Sequence, residues 1–166
     1  MIHVRHSTAA EAQIVQEVVA AAFATLRTIY RPNQDAISTL DRDAYNSQQL
    51  LALDGDVAVG TVNLTIKEGA MVVSQLAVLP IYRRQSIATQ LLNHAERIAC
   101  DSGHTTLSLN TIMETGNVEI FERLGFRKTR QHAADWCISP DGNKLTDVGM
   151  DRPLKPRLKG QTRDIT

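Results

Sequence analysis

The sequence predicts a single α+β domain in which helices flank a central, mixed but mostly antiparallel sheet. Three observations favour this class: strand-like and helix-like periodicities alternate, Asp-Gly and Glu-Gly pairs separate apolar runs, and one strand–helix–strand crossover interrupts the pattern. With 166 residues, 43% of them hydrophobic, the chain is long enough for one core and short for two. We expect one domain over residues 1–153 and a polar, basic, flexible tail over 154–166.

The first third of the chain predicts a strand followed by two helices. Residues 2–6 alternate apolar and polar side chains, as an edge strand does. A capping signal that begins at Thr8 predicts a helix extending through Phe23. Residues 32–35, which include a proline, interrupt this pattern before a second, shorter helix over 36–45.

The middle of the chain predicts an antiparallel meander and then the crossover. Residues 49–53, 57–66 and 71–78 have strand character and are separated by Asp-Gly and Glu-Gly turns. Apolar residues at helical spacing over 87–99 predict an amphipathic helix, and 105–109 predict the next strand. The crossover therefore joins two strands of the same sheet.

The last third predicts a short helix and a final hairpin. Residues 116–124 form the helix, and Gly125 is the type of residue that ends a helix in the left-handed conformation. Two strands, 126–137 and 145–150, flank a Ser-Pro-Asp-Gly turn. The open edges of this hairpin make a homodimer a reasonable expectation.

Charge and cysteine content exclude several classes of protein. Eighteen basic residues balance eighteen acidic residues, so no global field attracts nucleic acid or an anionic membrane. Cys100 and Cys137 have no metal-ligand spacing, which disfavours a metal site and a disulfide scaffold. The chain has no apolar signal core and no run near the ~20 apolar residues that cross a bilayer. We expect a cytoplasmic protein with free thiols and no metal.

The segment that joins the third meander strand to the following helix has the features of an anion site. Residues 74–92 run from an apolar strand, through a loop stopped by Pro80, directly into the helix. The first N–H groups of a helix have no intrahelical partner and carry partial positive charge, which suits a pyrophosphate. Arg83 and Arg84 add formal charge at the same place.

This segment resembles the acyl-CoA-binding signature of the GNAT N-acetyltransferases, Arg/Gln-x-x-Gly-x-Gly/Ala. The matching residues are 83–88, Arg-Arg-Gln-Ser-Ile-Ala, after the typical Leu-Ala-Val-Leu-Pro at 76–80. Residues 117–126, Asn-Val-Glu-Ile-Phe-Glu-Arg-Leu-Gly-Phe, are similar to a second hallmark, the helix that ends in Tyr-Glu-x-Leu-Gly-Phe. The predicted order of elements is also that of the GNAT fold, so the resemblance covers residues 1–153.

The resemblance implies an N-acetyltransferase that uses acetyl-CoA as co-substrate and acetylates a primary amine by direct attack, without a covalent enzyme intermediate. We expect a small-molecule acceptor, because a net charge of zero gives no attraction to a substrate bound to a polyanion. Two alternatives stay open: a non-catalytic acyl-CoA-binding sensor module, and a transferase for another acyl group.

The resemblance also implies which residues contact the cofactor. The backbone amide of Leu76 would stabilise the thioester oxyanion, and Val78 would pair with the pantetheine arm as an added strand does. Asn117 and Phe121 are the contacts expected from the second hallmark. The other implied cofactor residues are Ala77, Arg83, Arg84, Gln85, Ser86, Ile87, Ala88 and Thr89.

Three residues depart from the family pattern and motivate the sensor alternative. Ser86 occupies the first glycine position, where it either hinders close approach of the pyrophosphate or donates its hydroxyl to phosphate. Phe121 replaces a tyrosine that many members use to protonate the thiolate. CoA then leaves as the thiolate, another donor or water supplies the proton, or activity is weakened or lost. Val72 replaces a glutamate that serves some members as base.

The sequence leaves the general base open. His132 and Asp135 lie on the strand predicted to border the acceptor side, and histidine has a suitable unperturbed pKa. An ordinary solvated side chain is the alternative interpretation of each. Tyr30 and Trp136 are candidate walls of the acceptor site, although a lone tryptophan is more often a core residue.

Overall fold

A mixed sheet of seven strands forms the centre of the protein in the computed structural model, which describes residues 1–43 and 46–155. The strands are β1 (Ile2–His6), β2 (Arg31–Pro32), β3 (Ser47–Asp54), β4 (Val57–Lys67), β5 (Ala70–Val78), β6 (Thr106–Ile112), β7 (Arg127–Ala133), β8 (Cys137–Ile138) and β9 (Thr146–Pro153). The helices are α1 (Ala12–Phe23), α2 (Gln34–Asp43), α3 (Ile87–Asp101) and α4 (Asn117–Arg123). The strand order is β1-β3-β4-β5-β6-β9-β7, and β2 pairs separately with β8.

The sheet topology confirms the predicted fold class. Neighbouring strands in the large sheet are antiparallel except β5 and β6, which are parallel and are joined by α3. The predicted turns lie where expected, with Gly55 and Gly69 at φ values of +60° and +78°. Glycine adopts this left-handed conformation without steric cost, so both turns follow directly from the sequence.

Helix α3 covers one face of the sheet in close contact with β4. Its inward side chains Ile87, Leu91 and Leu92 are fully buried. A Cβ atom at Gly60 would lie 3.0 Å from Cγ2 of Ile87 and 3.1 Å from the carbonyl oxygen of Ala77. Because burying one large apolar side chain contributes about 1.5–3 kcal/mol, this contact fixes the helix and its N-terminus against the sheet.

Helix α1 covers the opposite face. Val18 and Ala22 pack against Ala77 of β5 in a second, smaller apolar cluster. The predicted capping signal is confirmed, because the Thr8 N–H donates to Oε1 of Glu11 over 2.8 Å, in the 3-10 turn that precedes the helix. The helix is therefore anchored at its start by local hydrogen bonds and along its length by apolar contacts.

Helix α2 begins two residues earlier than predicted. The Ala36 N–H donates to the side-chain oxygen of Asn33 over 2.9 Å, which is the hydrogen bond of an asparagine N-cap. Ile37 is 42% exposed, although the periodicity predicts that it faces inward. Residues 44–45 of the predicted helix lie outside the described residues.

The predicted strand over 126–137 is wrong in its extent. Strand β7 ends at Ala133, and the Ala134 N–H donates to the Leu145 carbonyl over 2.9 Å. Strand β8 leaves the large sheet, because Cys137 is buried in a separate apolar cluster with Ile112 and Leu145. If one strand continued through 126–137 in the large sheet, Cys137 would lose its packing against Ile112 and Leu145.

The last described residues still belong to the domain. Strand β9 ends at Pro153, and the buried Leu154 donates its N–H to the Thr105 carbonyl over 2.8 Å. Most of the predicted tail, residues 156–166, lies outside the described residues. In the part of the chain that is described, no helix is long and apolar enough to span a membrane.

Candidate functional site

Strands β5 and β6 pair over a very short length, which opens the middle of the sheet. In the described part of the chain, their parallel register is restricted to Met71 opposite Leu107 and Val72 opposite Ser108. Both strands continue beyond these pairs, β5 to Val78 and β6 to Ile112. Backbone groups that face the gap are therefore free to meet a ligand.

A bulge in β5 lies at the mouth of this gap. Thr61 pairs with Ala77 and Asn63 with Ser74, so Val62 alone lies opposite Gln75 and Leu76. Gln75 has a φ of +49°, a left-handed value that is uncommon outside glycine. A bulge of this kind bends its strand and re-aims backbone groups, here next to the Leu76 amide.

A cleft with a volume of about 1080 Å³ lies over the gap. Its walls come from the end of α1, the segment before α2, the β7–β8 loop and α4. The sheet contributes both apolar and polar side chains to the lining, and the polar ones include Asn63, Thr65, Ser74, Ser108 and Asn110. Ligand sites usually measure about 300–1,000 Å³, so this cleft accommodates an extended ligand or two smaller ones.

The loop between β5 and α3 has the backbone geometry of an anion cradle. Arg84 and Ser86 have φ values of +63° and +62°, in the left-handed region. Successive N–H groups in such alternating conformations point into one concavity and bind anions. The Ser86 carbonyl accepts the Gln90 N–H over 3.0 Å, while its side chain makes no capping hydrogen bond. Its hydroxyl is therefore available to a phosphate.

The two arginines of the loop have different surroundings. Arg83 donates from Nη2 to the Ala22 carbonyl over 3.0 Å, at the C-terminal end of α1. A cation at this end of a helix is favoured by the macrodipole, so Arg83 links the loop to α1. Arg84 is exposed at the left-handed turn. Of the two, Arg84 is the one whose charge is available to a ligand.

The structure brings four of the predicted site residues to the cleft, namely Leu76, Asn117, Phe121 and Asp135. The Phe121 ring packs edge-to-face on Phe126, with ring centroids 5.9 Å apart. The other predicted cofactor residues lie at the end of β5, in the loop and in the first turn of α3; they are Ala77, Val78, Arg83, Arg84, Gln85, Ser86, Ile87, Ala88 and Thr89.

Some of these predicted contacts are restricted to the backbone. The side chains of Ala77 and Ile87 are buried, so their main-chain atoms alone can meet a ligand. Val72 lies on the cleft floor and has no titratable group.

The two candidate bases lie in different surroundings. His132 is on the outer strand β7, away from the cleft lining, with Nε2 3.4 Å from Oδ2 of Asp147. Asp135 lines the cleft in the loop after β7, and its backbone carbonyl accepts the Asn33 side-chain amide over 2.7 Å. Asp135, unlike His132, is therefore positioned to meet a ligand in the cleft.

Asp147 is a buried acid that sequence reasoning missed. Burial raises its pKa, while the Trp136 indole and His132 act in the opposite direction. Asn110 donates to Oδ2 over 3.4 Å, whereas Oδ1 and the Trp136 Nε1 are buried without a hydrogen bond of good geometry. The available signal was an acidic residue within the apolar strand pattern Leu145 to Met150.

A cation–aromatic cluster forms part of the cleft wall. Cζ of Arg27 lies 5.7 Å from the ring centroid of Phe23 and 5.2 Å from that of Tyr30. Tyr30 in turn meets Trp136 edge-to-face at 5.6 Å, so the expectation that these two rings line the site agrees with their position. Arg27 was missed, although its spacing from Phe23 and Tyr30 is that of residues on one helical face.

Neither cysteine chemistry nor a metal-ligand cluster is evident in the described parts of the chain. Burial raises the pKa of Cys137 to about 11, so this thiol is protonated at neutral pH. Among the described residues, no group of three or more His, Cys, Asp and Glu side chains is arranged to hold a metal ion.

Comparison with known proteins agrees with this geometry. A model of the acetyltransferase (GNAT) family matches residues 15–126. Among solved structures, the ribosomal-protein-S18-alanine N-acetyltransferase from Escherichia coli is similar, with a TM-score of 0.74 and 15% identity over 98% of this chain and 100% of that chain. The comparison with curated proteins found no match.

Two further similar structures contain the cofactor. An aminoglycoside 6'-N-acetyltransferase complexed with coenzyme A has a TM-score of 0.69 and 16% identity, covering 95% of this chain and 99% of that chain. A GNAT family acetyltransferase from Elizabethkingia anophelis with acetyl-CoA bound has a TM-score of 0.68 and 17% identity, covering 92% and 98%. At these identities the likeness shows the fold and leaves the substrate open. Because the family model covers most of the sequence, the chain belongs to the acetyltransferase (GNAT) family.

Proposed function

We propose that the protein transfers the acetyl group of acetyl-CoA to a primary amine by direct attack. The observation that carries this proposal is the backbone of one segment, residues 75–86. It places a strand bulge beside the β5–β6 gap and left-handed residues before α3. The first feature suits a thioester oxygen, and the second suits a pyrophosphate.

In the proposed complex, acetyl-CoA extends along this segment. The pyrophosphate binds the first N–H groups of α3, with the Arg84 guanidinium and the Ser86 hydroxyl as further donors. The pantetheine arm pairs with the β5 edge as far as Val78, and the thioester reaches the Leu76 amide in the cleft. This placement leaves the α1–α2 side of the cleft for the acceptor.

The acceptor ammonium loses two protons, one to the base before attack and one to solvent as the amide forms, and one bond breaks in the cofactor. The neutral amine attacks the thioester carbon, a C–N bond forms, and the carbonyl oxygen becomes an oxyanion held by the Leu76 N–H. The C–S bond then breaks. Phe121 has no proton to donate, so CoA leaves as the thiolate and takes its proton from solvent.

Asp135 is the base that we favour for the acceptor ammonium. It lines the cleft, and its backbone is held by the Asn33 side chain. It receives the proton directly or through one water. His132 is the weaker candidate because it lies away from the cleft lining.

The non-catalytic sensor stays a second candidate because two cleft residues lack the groups that catalysis uses in the family. Phe121 and Val72 both line the cleft, and neither can move a proton. A transferase for another acyl group is the third candidate function. Competition of longer acyl-CoAs against acetyl-CoA for binding tests this candidate.

Release of CoA thiol over a panel of primary amines tests the proposal. We expect steady thiol release with at least one amine, and a kcat lower by about 10²-fold in Asp135→Asn, in line with loss of a general base. His132→Gln is the matched variant and should retain most of the rate. Tight acetyl-CoA binding with no release over the panel would favour the sensor.

Two further expectations, a homodimer and a cytoplasmic location, stay predictions. Strand β7 is an outer strand of the sheet and is exposed along its length, which is the surface that the expected homodimer would use. Sedimentation of the purified protein measures this. A cytoplasmic location rests on the sequence argument alone.

A further inference from the structure

We infer that the acceptor amine also carries a carboxylate and that Arg27 is the residue that binds this carboxylate. The inference rests on the proposed function and names a substrate class for the same cleft. It starts from an arginine that neither the cofactor signature nor the proposed chemistry uses.

Arg27 is held in the cleft wall by aromatic side chains. It lies in the 3-10 turn Leu26–Thr28 that follows α1, and its guanidinium packs near the rings of Phe23 and Tyr30. All three side chains line the cleft. Contact with two aromatic rings restricts the orientation of the guanidinium plane, so the side chain is organised before a ligand arrives.

One nitrogen of the Arg27 guanidinium lacks a hydrogen-bond acceptor among the described residues. This atom, Nη1, is buried. Other arginines of the chain do have partners: Arg5 donates two 2.8 Å hydrogen bonds to Glu11, and Arg152 donates to Glu96 over 2.9 Å. A buried charged donor without an acceptor is unfavourable, so an anion bound against the part of the guanidinium that lines the cleft would offset part of this cost.

A carboxylate has the geometry that this site accepts. The planar guanidinium donates two parallel N–H groups to the two oxygens of a carboxylate. A phosphate of CoA offers similar oxygens, but the cradle loop with Arg84 and the first N–H groups of α3 already provides a phosphate site. Arg27 lies instead beside Tyr30, which contacts Trp136 on the acceptor side.

The charge on the rest of the cleft fits an acceptor with both signs. Acidic groups outnumber basic ones in the rest of the cleft lining, whose charged residues are Asp35, Glu68, Asp135 and Asp151 and the basic Lys67 and Arg130. An ammonium group is favoured near these carboxylates, whereas a carboxylate is favoured at Arg27. Together they describe a small amino carboxylate, such as an amino acid, and disfavour a simple alkylamine.

Matched acceptors and matched variants test this inference. We would measure kcat/KM with acetyl-CoA for the standard amino acids, their carboxamides and the corresponding decarboxylated amines. The proteins are the wild type, Arg27→Gln, Arg27→Lys and, as control, Arg31→Gln, whose side chain is exposed and lies outside the cleft lining. Acetyl-CoA affinity is measured for each protein by calorimetry.

We expect the wild type to favour a carboxylate acceptor over its carboxamide by about 10–100-fold, the usual difference for a charged hydrogen bond. Arg27→Gln should remove this preference through KM and leave acetyl-CoA affinity unchanged. Arg27→Lys should retain part of it, because the charge stays and the planar pair of donors is lost. Arg31→Gln should behave as the wild type.

Three results would overturn the inference. The first is equal use of acids and carboxamides by the wild type. The second is a loss of acetyl-CoA affinity in Arg27→Gln, which would assign Arg27 to the cofactor. The third concerns the case in which no acceptor is turned over, an outcome that contradicts the proposed function but not the role of Arg27. That role is then tested by the thermal shift that amino acids cause in the CoA-bound protein. An absent shift, or a shift that Arg27→Gln retains, contradicts the inference.

Discussion

The two sides of the cleft are built in different ways. On the α3 side, one continuous segment, residues 75–86, arranges backbone groups through a bulge and two left-handed residues. On the α1–α2 side, side chains from distant segments meet, among them Arg27, Asp135 and Trp136. Backbone groups can be kept while side chains change, so this division would let the proposed cofactor site be combined with different acceptor walls.

The α3 side of the cleft depends on close contact between α3 and β4. The substitution with the largest expected effect tests this contact. Gly60→Val should lower the free energy of unfolding by about 1–3 kcal/mol, because the added side chain overlaps Ile87 and the Ala77 carbonyl. Urea unfolding measures the loss. Gly60→Ala should cost less, and equal stability of all three proteins would show that α3 is not fixed by this contact.

The charge of the cradle loop is the next test. Arg84→Glu should weaken acetyl-CoA binding by about 10–100-fold, because it places like charge near the phosphates. Arg127→Glu, an equal charge reversal at an exposed position on β7, is the control and should bind normally. Calorimetry gives both dissociation constants, and equal affinities would mean that the pyrophosphate lies elsewhere.

A substitution at Ser86 distinguishes the two interpretations of this residue, and we expect a smaller effect on acetyl-CoA affinity than at Arg84. Its hydroxyl makes no capping bond in the structure, so we expect it to donate to phosphate. Ser86→Gly should then weaken acetyl-CoA binding by about tenfold, the lower end of the range for a hydrogen bond to a charged group. Tighter binding by the glycine variant would show instead that the side chain hinders the pyrophosphate.

The acceptor side contains the buried acid Asp147, whose ionisation should make stability depend on pH. Its pKa is raised in the folded state, mainly by burial. Its stabilising contribution is therefore present below the unfolded pKa and is lost as pH rises through the folded pKa. Asp147→Asn avoids this loss, so its melting temperature relative to wild type should be more favourable near pH 7 than near pH 4.

Thermal melts at the two pH values measure the Asp147 effect. The exposed Asp56→Asn, in the β3–β4 turn, is the control and should show no comparable change. A difference with the opposite sign would mean that the ionised carboxylate stabilises the folded protein.

The smallest effect concerns Glu11, at the start of α1. Hydrogen bonds from Arg5 and Thr8 hold its pKa at about 2. A carboxylate with a lowered pKa contributes to the free energy of unfolding above its unfolded pKa. This contribution is lost as pH falls toward the folded pKa of about 2. Wild type should therefore lose more melting temperature than Glu11→Gln over this acid range, and equal losses would contradict the role of the Arg5 pair.

Local signals in the sequence predicted several turns and helix ends of the fold, and also the loop on the α3 side of the cleft. Turn glycines such as Gly55, the capping box at Thr8 and the arginine loop each act within a few residues, so their structure follows from short-range rules. Ser86 occupies a glycine position of the family pattern, and the structure gives it a left-handed φ of +62°. Such features are readable because they do not depend on distant parts of the chain.

Long-range contacts limited the prediction of the α1–α2 side. The break between β7 and β8 follows from packing of Cys137 with Ile112 and Leu145. Neither of these two residues is a near neighbour of Cys137 in the sequence. The local patterns around Arg27 and Asp147 do not by themselves mark a site, and the unsatisfied polar atoms of these residues are evident in three dimensions alone. Side-chain sites of this kind require the tertiary structure.

Calorimetric titration with acetyl-CoA, with CoA and longer acyl-CoAs beside it, shows whether the loop before α3 binds the cofactor. We predict micromolar binding, equivalent to about −8 kcal/mol, for the wild type and a clear loss in Arg84→Glu. No binding by the folded wild type up to ~1 mM, about −4 kcal/mol, would contradict it. In that case the cradle before α3 would not be a cofactor site.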